Sequence, residues 1–262
     1  MDMVVCVKRV PDTAESEVHI DGSGKDIDKG RLSFGINEAD NYAVEEAIQI
    51  KERDGGTVTV ISLGGKESDE QIRMALAKGG DEAIRLDDPA FAGSDGLAIA
   101  KALAAAVKDL KYDIILTGAL ADDDAFGAVG VAMAELLGVN HAAYVKKVEI
   151  AGDKIKVARE LEGGLLEFLE MDLPAVLTIQ TGINEPRYAS FKGIKMAAKK
   201  EIELKSAADL GLDASEVGEA GAWAKLEKFT PPIVGELAEI LQGEPEETAS
   251  KLASILKEKG LV

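Results

Sequence analysis

The stretch TVTVISLGGKESDEQIRMALAKGGDEAIRL, residues 57–86, contains the pattern that decides the fold. Its first seven residues, TVTVISL, form an apolar run that predicts a buried strand, and the closing EAIRL predicts the next strand. Between them, Ser68 and Gln71 have the spacing of a helix capping box, which predicts a helix to about residue 78. A strand, a helix and a second strand in this order predict a parallel pair joined by a crossover helix.

The same alternation runs through the rest of the first half of the chain. Strands are predicted at residues 3–10 and 113–116, and helices at residues 38–53, 95–108 and 128–137. Asn37 is placed to cap the first of these helices, and Gly55 with Gly56 to end it. We therefore expect an α/β fold with a mainly parallel, doubly wound sheet that helices cover on both faces.

The pattern changes in the second half. Residues 144–150 and 155–160 predict a hairpin, and residues 174–180 predict another buried strand, so an antiparallel extension of the sheet is expected. The main domain is predicted at residues 1–204. Residues 205–262 are more polar and are predicted to form an arm that binds a partner, with short helices at 234–242 and 246–257. The alternative is that the last helix folds back onto its own domain.

Composition excludes several classes of function. The net charge of −18 repels phosphate backbones and anionic lipid, so neither nucleic acid nor a membrane surface is expected as partner. There is one cysteine, Cys6, which excludes an internal disulfide, and no apolar run approaches the length of a membrane span. With no signal peptide visible, we expect a cytoplasmic protein.

Catalytic and metal-binding patterns are also missing from the sequence. The histidines, His19 and His141, lie far apart, and no Ser/His/Asp or Cys/His arrangement can be assembled. Histidine and cysteine are too few for a typical zinc site. The residues by themselves therefore indicate a binding protein rather than an enzyme.

Three strand-to-helix junctions could bind a ligand, because ligands of open α/β sheets lie beyond the carboxyl ends of the strands. The junctions are residues 10–13, residues 63–66 and residues 118–124. The third leads into Gly127–Gly130 at a predicted helix start, where free N–H groups favour phosphate. Nucleotide binding and an ordinary connecting loop both remain open at this point.

The segment NEPRYASFKGIK, residues 184–195, mixes aromatic, proline and basic residues on an otherwise acidic chain. An exposed Phe191 beside cations would suit docking on an acidic partner. The alternative is a solvated basic face with Phe191 in the core.

Several motifs resemble those of electron-transfer flavoprotein beta subunits. The long stretch VARELEGGLLEFL at 157–169, closed by PAVLT at 174–178, resembles the signature of that family. NEPRYAS at 184–190, VVCVKRVPD at 4–12 and YAVEEAI at 42–48 resemble further family segments. The resemblance extends from about residue 3 to the Phe-Thr-Pro-Pro at 229–232.

The resemblance implies a heterodimer whose alpha subunit carries most FAD contacts and whose beta subunit binds AMP or, in electron-bifurcating members, a second FAD. It implies nucleotide contacts at Cys6, Asn37, Glu38, Ala39, Asp40, Leu63, Gly118, Ala121, Asp123, Asp124, Gly127, Ala128, Val129 and Gly130. It also implies that Arg187, Tyr188, Phe191, Lys192, Ile194 and Lys195 recognise an acyl-CoA or related dehydrogenase, and that Glu167 is an electron-transfer gate.

The chain departs from the family pattern at the nucleotide loop. Leu120, Phe126 and Ala128 stand where the family usually has glutamine or hydroxyl side chains, and Glu38 stands where it has proline. The Gly-Pro-Pro of bifurcating members is absent after Leu63. We therefore expect a shuttle subunit that passes electrons from a dehydrogenase toward a quinone oxidoreductase. A bifurcating subunit with its own FAD and NADH site, and a nucleotide-binding regulatory protein, are the alternatives.

Overall fold

The computed structural model describes residues 1–14, 16–233, 235 and 238–262. The strands are β1 (Asp2–Cys6), β2 (Arg9–Pro11), β3 (Phe34–Ile36), β4 (Thr57–Leu63), β5 (Glu82–Leu86), β6 (Ile114–Gly118), β7 (Asn140–Ala151), β8 (Lys154–Glu160), β9 (Leu166–Asp172), β10 (Ala175–Ile179) and β11 (Glu203–Lys205). The α-helices are α1 (Glu38–Asp54), α2 (Asp69–Lys78), α3 (Gly96–Val107), α4 (Val129–Leu137), α5 (Phe191–Ala197), α6 (Gly218–Gly221) and α7 (Pro245–Glu258).

One large sheet organises the fold. Its order is β11-β5-β4-β1-β6-β10-β7-β8-β9. The pairings from β11 across to β7 are parallel, whereas β7–β8 and β8–β9 are antiparallel. The predicted mainly parallel sheet is confirmed, and the hairpin of β7 and β8 does extend it in antiparallel fashion. The strand predicted at 174–180 is not part of that antiparallel extension, because β10 pairs parallel with both β6 and β7.

Helices cover both faces of this sheet, and the alternation of side chains along β1 shows why. Met3 and Val5 pack into one hydrophobic core, which includes residues of α1 and α2. Val4 and Cys6 point to the opposite face and pack into a second core with residues of α3 and α4. A central strand that is apolar on both faces is typical of a doubly wound sheet.

The first predicted strand is too long. It ends at Cys6, and Arg9–Pro11 instead pairs antiparallel with Phe34–Ile36 in a separate two-stranded sheet. The apolar run therefore contains two strands, with the chain leaving the main sheet near Lys8. A second correction concerns Ser68, whose side chain makes no capping hydrogen bond to α2 because residues 66–68 form a 3-10 turn.

Strand β9 was not predicted, although the hairpin before it is confirmed as β7 and β8. It begins with Leu166, Glu167, Phe168, Leu169 and Glu170, so acidic side chains interrupt its apolar residues. It nevertheless pairs antiparallel with β8 along its whole length, from Asp172 opposite Lys154 to Leu166 opposite Glu160, and so forms the outer strand of the sheet.

The chain divides into two compact units, Met1–Lys228 and Phe229–Val262. The boundary predicted at 204/205 falls inside β11, which pairs with β5 in the first unit. In the second unit, the predicted helix at 246–257 is confirmed as α7. The helix predicted at 234–242 lies partly outside the described residues, and 238–242 are not helical. No helix within the described ranges combines the length and apolarity needed to cross a membrane.

Candidate nucleotide-binding site

A cleft lies where the strand order reverses direction. From β1 the chain passes to β4 and β5 on one side, then returns to place β6 on the other side of β1. The carboxyl ends of these central strands, Cys6, Leu63 and Gly118, border a cleft with about 690 Å³ of free space, part of it open to solvent. Such a switch point is where open α/β sheets bind their ligands.

Many of the residues predicted as nucleotide contacts line this cleft. They are Cys6, Asn37, Asp40, Leu63, Gly118, Ala121, Asp124, Gly127 and Val129. The other predicted residues are Glu38, Ala39, Asp123, Ala128 and Gly130, and they do not line its wall. Ala119, Leu120 and Phe126, which belong to the loop already singled out in the sequence, line the cleft as well. Sequence reasoning missed the remaining lining residues, which are Val7, Lys8, Ile61, Ile99, Leu103 and Thr117.

The buried carboxylate of Asp40 ties the elements at the base of the cleft together. One oxygen accepts the backbone N–H of Lys8 at 2.8 Å, and the other accepts that of Gly118 at 2.9 Å. Burial raises the pKa of Asp40 to about 7, although these hydrogen bonds act in the opposite direction. Asp40 therefore joins the start of α1 to the chain beyond β1 and to the end of β6.

Asn37 holds the loop after β6 and does not cap α1 with its side chain, contrary to the prediction. Its amide nitrogen donates to the carbonyl of Leu120 at 2.9 Å, and its amide oxygen accepts the N–H of Asp122 at 2.9 Å. The side chain of Asp122 in turn accepts the N–H of Glu38 at 3.0 Å. Because both groups of the amide are paired, the buried Asn37 fixes the path of the loop over the cleft.

Lys8 compensates the charge of the aspartates in this loop. Its ammonium group lies 2.5 Å from a carboxylate oxygen of Asp123 and 2.6 Å from one of Asp124. Burial lowers the pKa of Lys8, but the hydrogen bonds to both aspartates outweigh burial and raise the pKa overall. The ion pairs lie beside the cleft and reduce its negative charge, which matters for an anionic ligand.

The start of α4 offers backbone donors. Its N-cap residue, Ala128, has no side chain that could satisfy the free N–H groups of the first turn. The helix approaches the sheet closely at Gly130, where an added Cβ would lie 2.5 Å from Thr117 Oγ1 and 2.6 Å from Thr178 Cγ2. Uncapped N–H groups at a helix start favour a phosphate or carboxylate group.

Part of the cleft wall is apolar. Ile99 and Leu103 of α3 and Ile61 of β4 contribute to it. Cys6 is buried at the same edge, and burial raises the pKa of its thiol to about 12. The thiol therefore stays protonated and acts as a small apolar group, as its position in an apolar run predicted.

The segment predicted to recognise a partner is well exposed. Tyr188 and Phe191 have 98% and 85% of their surface exposed, and Ile194, Lys192 and Lys195 are exposed as well. The alternative, with Phe191 in the core, is therefore wrong. Arg187 differs from the others because its guanidinium group pairs with Glu45 and Glu52 of α1.

Glu167, the predicted electron-transfer gate, lies on β9, far along the sheet from the cleft. It is paired across the strands with Arg159 of β8, and the charged atoms of the two side chains are 3.4 Å apart. Both side chains are partly exposed, so the ion pair contributes little to stability and leaves the carboxylate accessible.

Comparison with known proteins gives the same family by two routes, a family model and full-length relatives. A family model described as "Electron transfer flavoprotein domain" matches residues 27–210. The chain is 39% identical to the "Electron transfer flavoprotein subunit beta" of Methylophilus methylotrophus over 98% of both chains. It is 41% identical to the protein of the same name from Thermoanaerobacterium thermosaccharolyticum, and 39% identical to that from Bacillus subtilis, over 100% of each chain.

Proposed function

The chain belongs to the electron transfer flavoprotein family as a beta subunit, and on this premise we propose that its switch-point cleft binds AMP. The observation that carries the proposal is the cleft itself, which combines an apolar wall with an uncapped helix start. Apolar pockets with a few well-placed polar groups are typical of small-molecule sites.

The residues present fit an adenine nucleotide. Ile99, Leu103 and Ile61 suit the faces of a base, and the free N–H groups at the start of α4 suit a phosphate. Asp124, which also lines the cleft, can accept hydrogen bonds from ribose hydroxyls. The phosphate contacts would come from the backbone, since Leu120, Phe126 and Ala128 have no polar side chain.

The resemblance associates a second FAD with electron-bifurcating members, which hold NADH at a Gly-Pro-Pro segment. Because this chain lacks that segment, we prefer AMP over a second FAD. Gly64 and Gly65 are followed here by Lys66, in a 3-10 turn that precedes α2. A beta subunit without its own NADH site would act as a shuttle, with the nucleotide in a structural role.

The redox chemistry of the heterodimer would be supplied by FAD, held mainly by the alpha subunit. The residues of this chain would position the flavin and dock on the electron donor, and none of them would act as an acid or a base. We propose that Glu167 guides electron transfer at the subunit boundary, and that residues 205–262 pack on the alpha subunit. The complex would be cytoplasmic.

The electron donor would dock on residues 184–195, which we call the docking segment. Its exposed side chains include Tyr188, Phe191 and Ile194, with Lys192 and Lys195 beside them. Aromatic anchors surrounded by cations suit an acidic surface with an apolar hollow. We propose that this partner is an acyl-CoA or related dehydrogenase, and that a quinone oxidoreductase takes the electrons afterwards.

A reduction assay on the heterodimer, co-expressed with its alpha subunit, tests this function. Acyl-CoA and its dehydrogenase should reduce the bound flavin, and NADH alone should leave the flavin absorbance unchanged. Direct reduction by NADH would contradict the shuttle and favour a bifurcating subunit. Failure to form a flavin-containing heterodimer would favour a regulatory nucleotide-binding protein.

A further inference from the structure

We propose that Arg187 is a positioning residue, which holds the docking segment against α1, and that it does not itself contact the partner. The proposal rests on the proposed docking function and assigns Arg187 a role different from that of the exposed side chains around it. Tyr188, the next residue, is almost fully exposed, whereas the guanidinium of Arg187 is turned toward its own subunit.

All three guanidinium nitrogens of Arg187 donate hydrogen bonds within the chain. Its Nε lies 2.9 Å from Glu45 Oε2, and its Nη2 lies 3.0 Å from Glu45 Oε1. On the other side, Nη1 and Nη2 donate to the two oxygens of Glu52 at 2.6 and 2.9 Å. The planar guanidinium thus binds two carboxylates at once, a geometry that lysine cannot reproduce.

The pairing is strong because Glu45 is buried. Only 3% of its side-chain surface is exposed, and that of Arg187 is 33% exposed. Burial by itself would raise the pKa of Glu45, but the hydrogen bonds from Arg187 outweigh burial and lower the pKa. Loss of Arg187 would leave a buried carboxylate without its cation, so the segment would have to move to admit water or another cation.

Further contacts fix both ends of the docking segment. At its start, the Asn184 side chain donates to Glu46 at 3.0 Å and to the carbonyl of Tyr42 at 3.2 Å. Beyond its end, Arg73 of α2 donates to the carbonyls of Ala197 and Lys200 at 2.7 and 3.1 Å. Arg187 lies between these anchors and immediately precedes the exposed aromatic residues.

Close packing adds a third constraint. Gly193 in α5 faces the carbonyl of Ala77 at the end of α2, where there is no room for a Cβ. With α5 against α2 and Arg187 against α1, the Phe191 side chain projects from a rigid base. A surface held in its binding conformation loses less conformational entropy on association.

The test uses the co-expressed heterodimer and steady-state electron transfer from the dehydrogenase. Arg187→Gln should raise the KM for the flavoprotein about tenfold, with kcat and flavin content unchanged, and should increase hydrogen exchange in residues 188–196. Arg53→Gln is the matched control, since it removes the same charge from an exposed ion pair with Asp54 on α1. If Arg187→Gln yields no folded heterodimer, Arg73→Gln replaces it, with the same expectation.

A double-mutant cycle with Phe191→Ala distinguishes positioning from direct contact. If Arg187 acts through the orientation of the docking segment, its loss should add little once Phe191 is gone. Additive effects, or a raised KM with unchanged hydrogen exchange, would show direct contact and overturn the proposal. An unchanged KM for Arg187→Gln would also overturn it, whereas an unchanged KM for Phe191→Ala would instead refute docking on this segment.

Discussion

The carboxylate of Asp40 accepts the backbone N–H of Gly118 at 2.9 Å, which joins the start of α1 to the end of β6. Its other oxygen accepts the N–H of Lys8, so this buried acid connects the elements that meet at the cleft. Because burial shifts the pKa of this acid away from its value in the unfolded chain, its ionisation affects the stability of the protein.

We predict that Asp40 makes stability decrease with rising pH. Burial raises its pKa from 3.8 to about 7, so the folded state binds a proton that the unfolded state has lost. The contribution is therefore present below about pH 4 and is lost by about pH 7, at up to about 1.4 kcal/mol per pH unit. Urea unfolding of wild type and Asp40→Asn across this range checks it. The difference in unfolding free energy between the two proteins should change with pH, and a constant difference would contradict the role of Asp40.

Lys8→Gln should weaken nucleotide binding about tenfold, or about 1.4 kcal/mol, because it exposes an anionic ligand to the charges of Asp123 and Asp124. The loss should diminish as salt is added. Titration of the nucleotide-free heterodimer with AMP at low and high ionic strength measures both effects. Lys29→Gln is the control, since Lys29 forms an ion pair with Asp26 that does not border the cleft. A loss of equal size in the control would show that total charge, and not this ion pair, controls affinity.

Gly130→Ala should destabilise the protein by about 1–3 kcal/mol, because the new methyl group would collide with the side chains of Thr117 and Thr178. Without this collision the substitution would instead stabilise the helix, because alanine favours a helix over glycine by about 1 kcal/mol when space is available. Chemical denaturation measures the change. Gly35→Ala, where an added Cβ meets nothing within 4 Å, should have little effect. A neutral or stabilising Gly130→Ala would show that α4 can move away from the sheet.

Phe191→Ala should raise the KM for electron transfer from the dehydrogenase by at least about tenfold, as expected for an apolar anchor at a docking surface. Nucleotide content should not change, because Phe191 does not line the cleft. Leu204→Ala serves as the control, since Leu204 is an exposed apolar residue of the edge strand β11. Unchanged kinetics for Phe191→Ala would refute docking at this residue.

The parallel half of the fold could be predicted because its strands are short apolar runs and each of the helices α1 to α4 has a glycine or an aspartate at one end at least. The bounds of β4 and β5 were predicted without error. Strand β9 could not be recognised from its residues, because its pairing with β8 determines its conformation while its own sequence is rich in acids. Tertiary pairing outweighed local pattern there.

In the site, too, residues with a local sequence signal could be predicted, whereas residues placed by tertiary contacts could not. Strand ends identified Leu63 and Gly118, since parallel strands bring their carboxyl ends to one edge. Cys6 was identified only through the family resemblance, because the first strand was predicted to continue to residue 10 and in fact ends at Cys6. Ile99 and Leu103 were missed because they lie within α3, and the side of the sheet that a helix covers depends on topology. The partners of Asn37 and Lys8 were missed as well, because each bond spans more than 80 residues of sequence.

The most direct test of the account is the nucleotide content of the heterodimer, co-expressed with its alpha subunit. After denaturation, chromatography of the released nucleotides should give one FAD and one AMP per heterodimer. Two FAD and no AMP would contradict the assignment of the switch-point cleft to AMP.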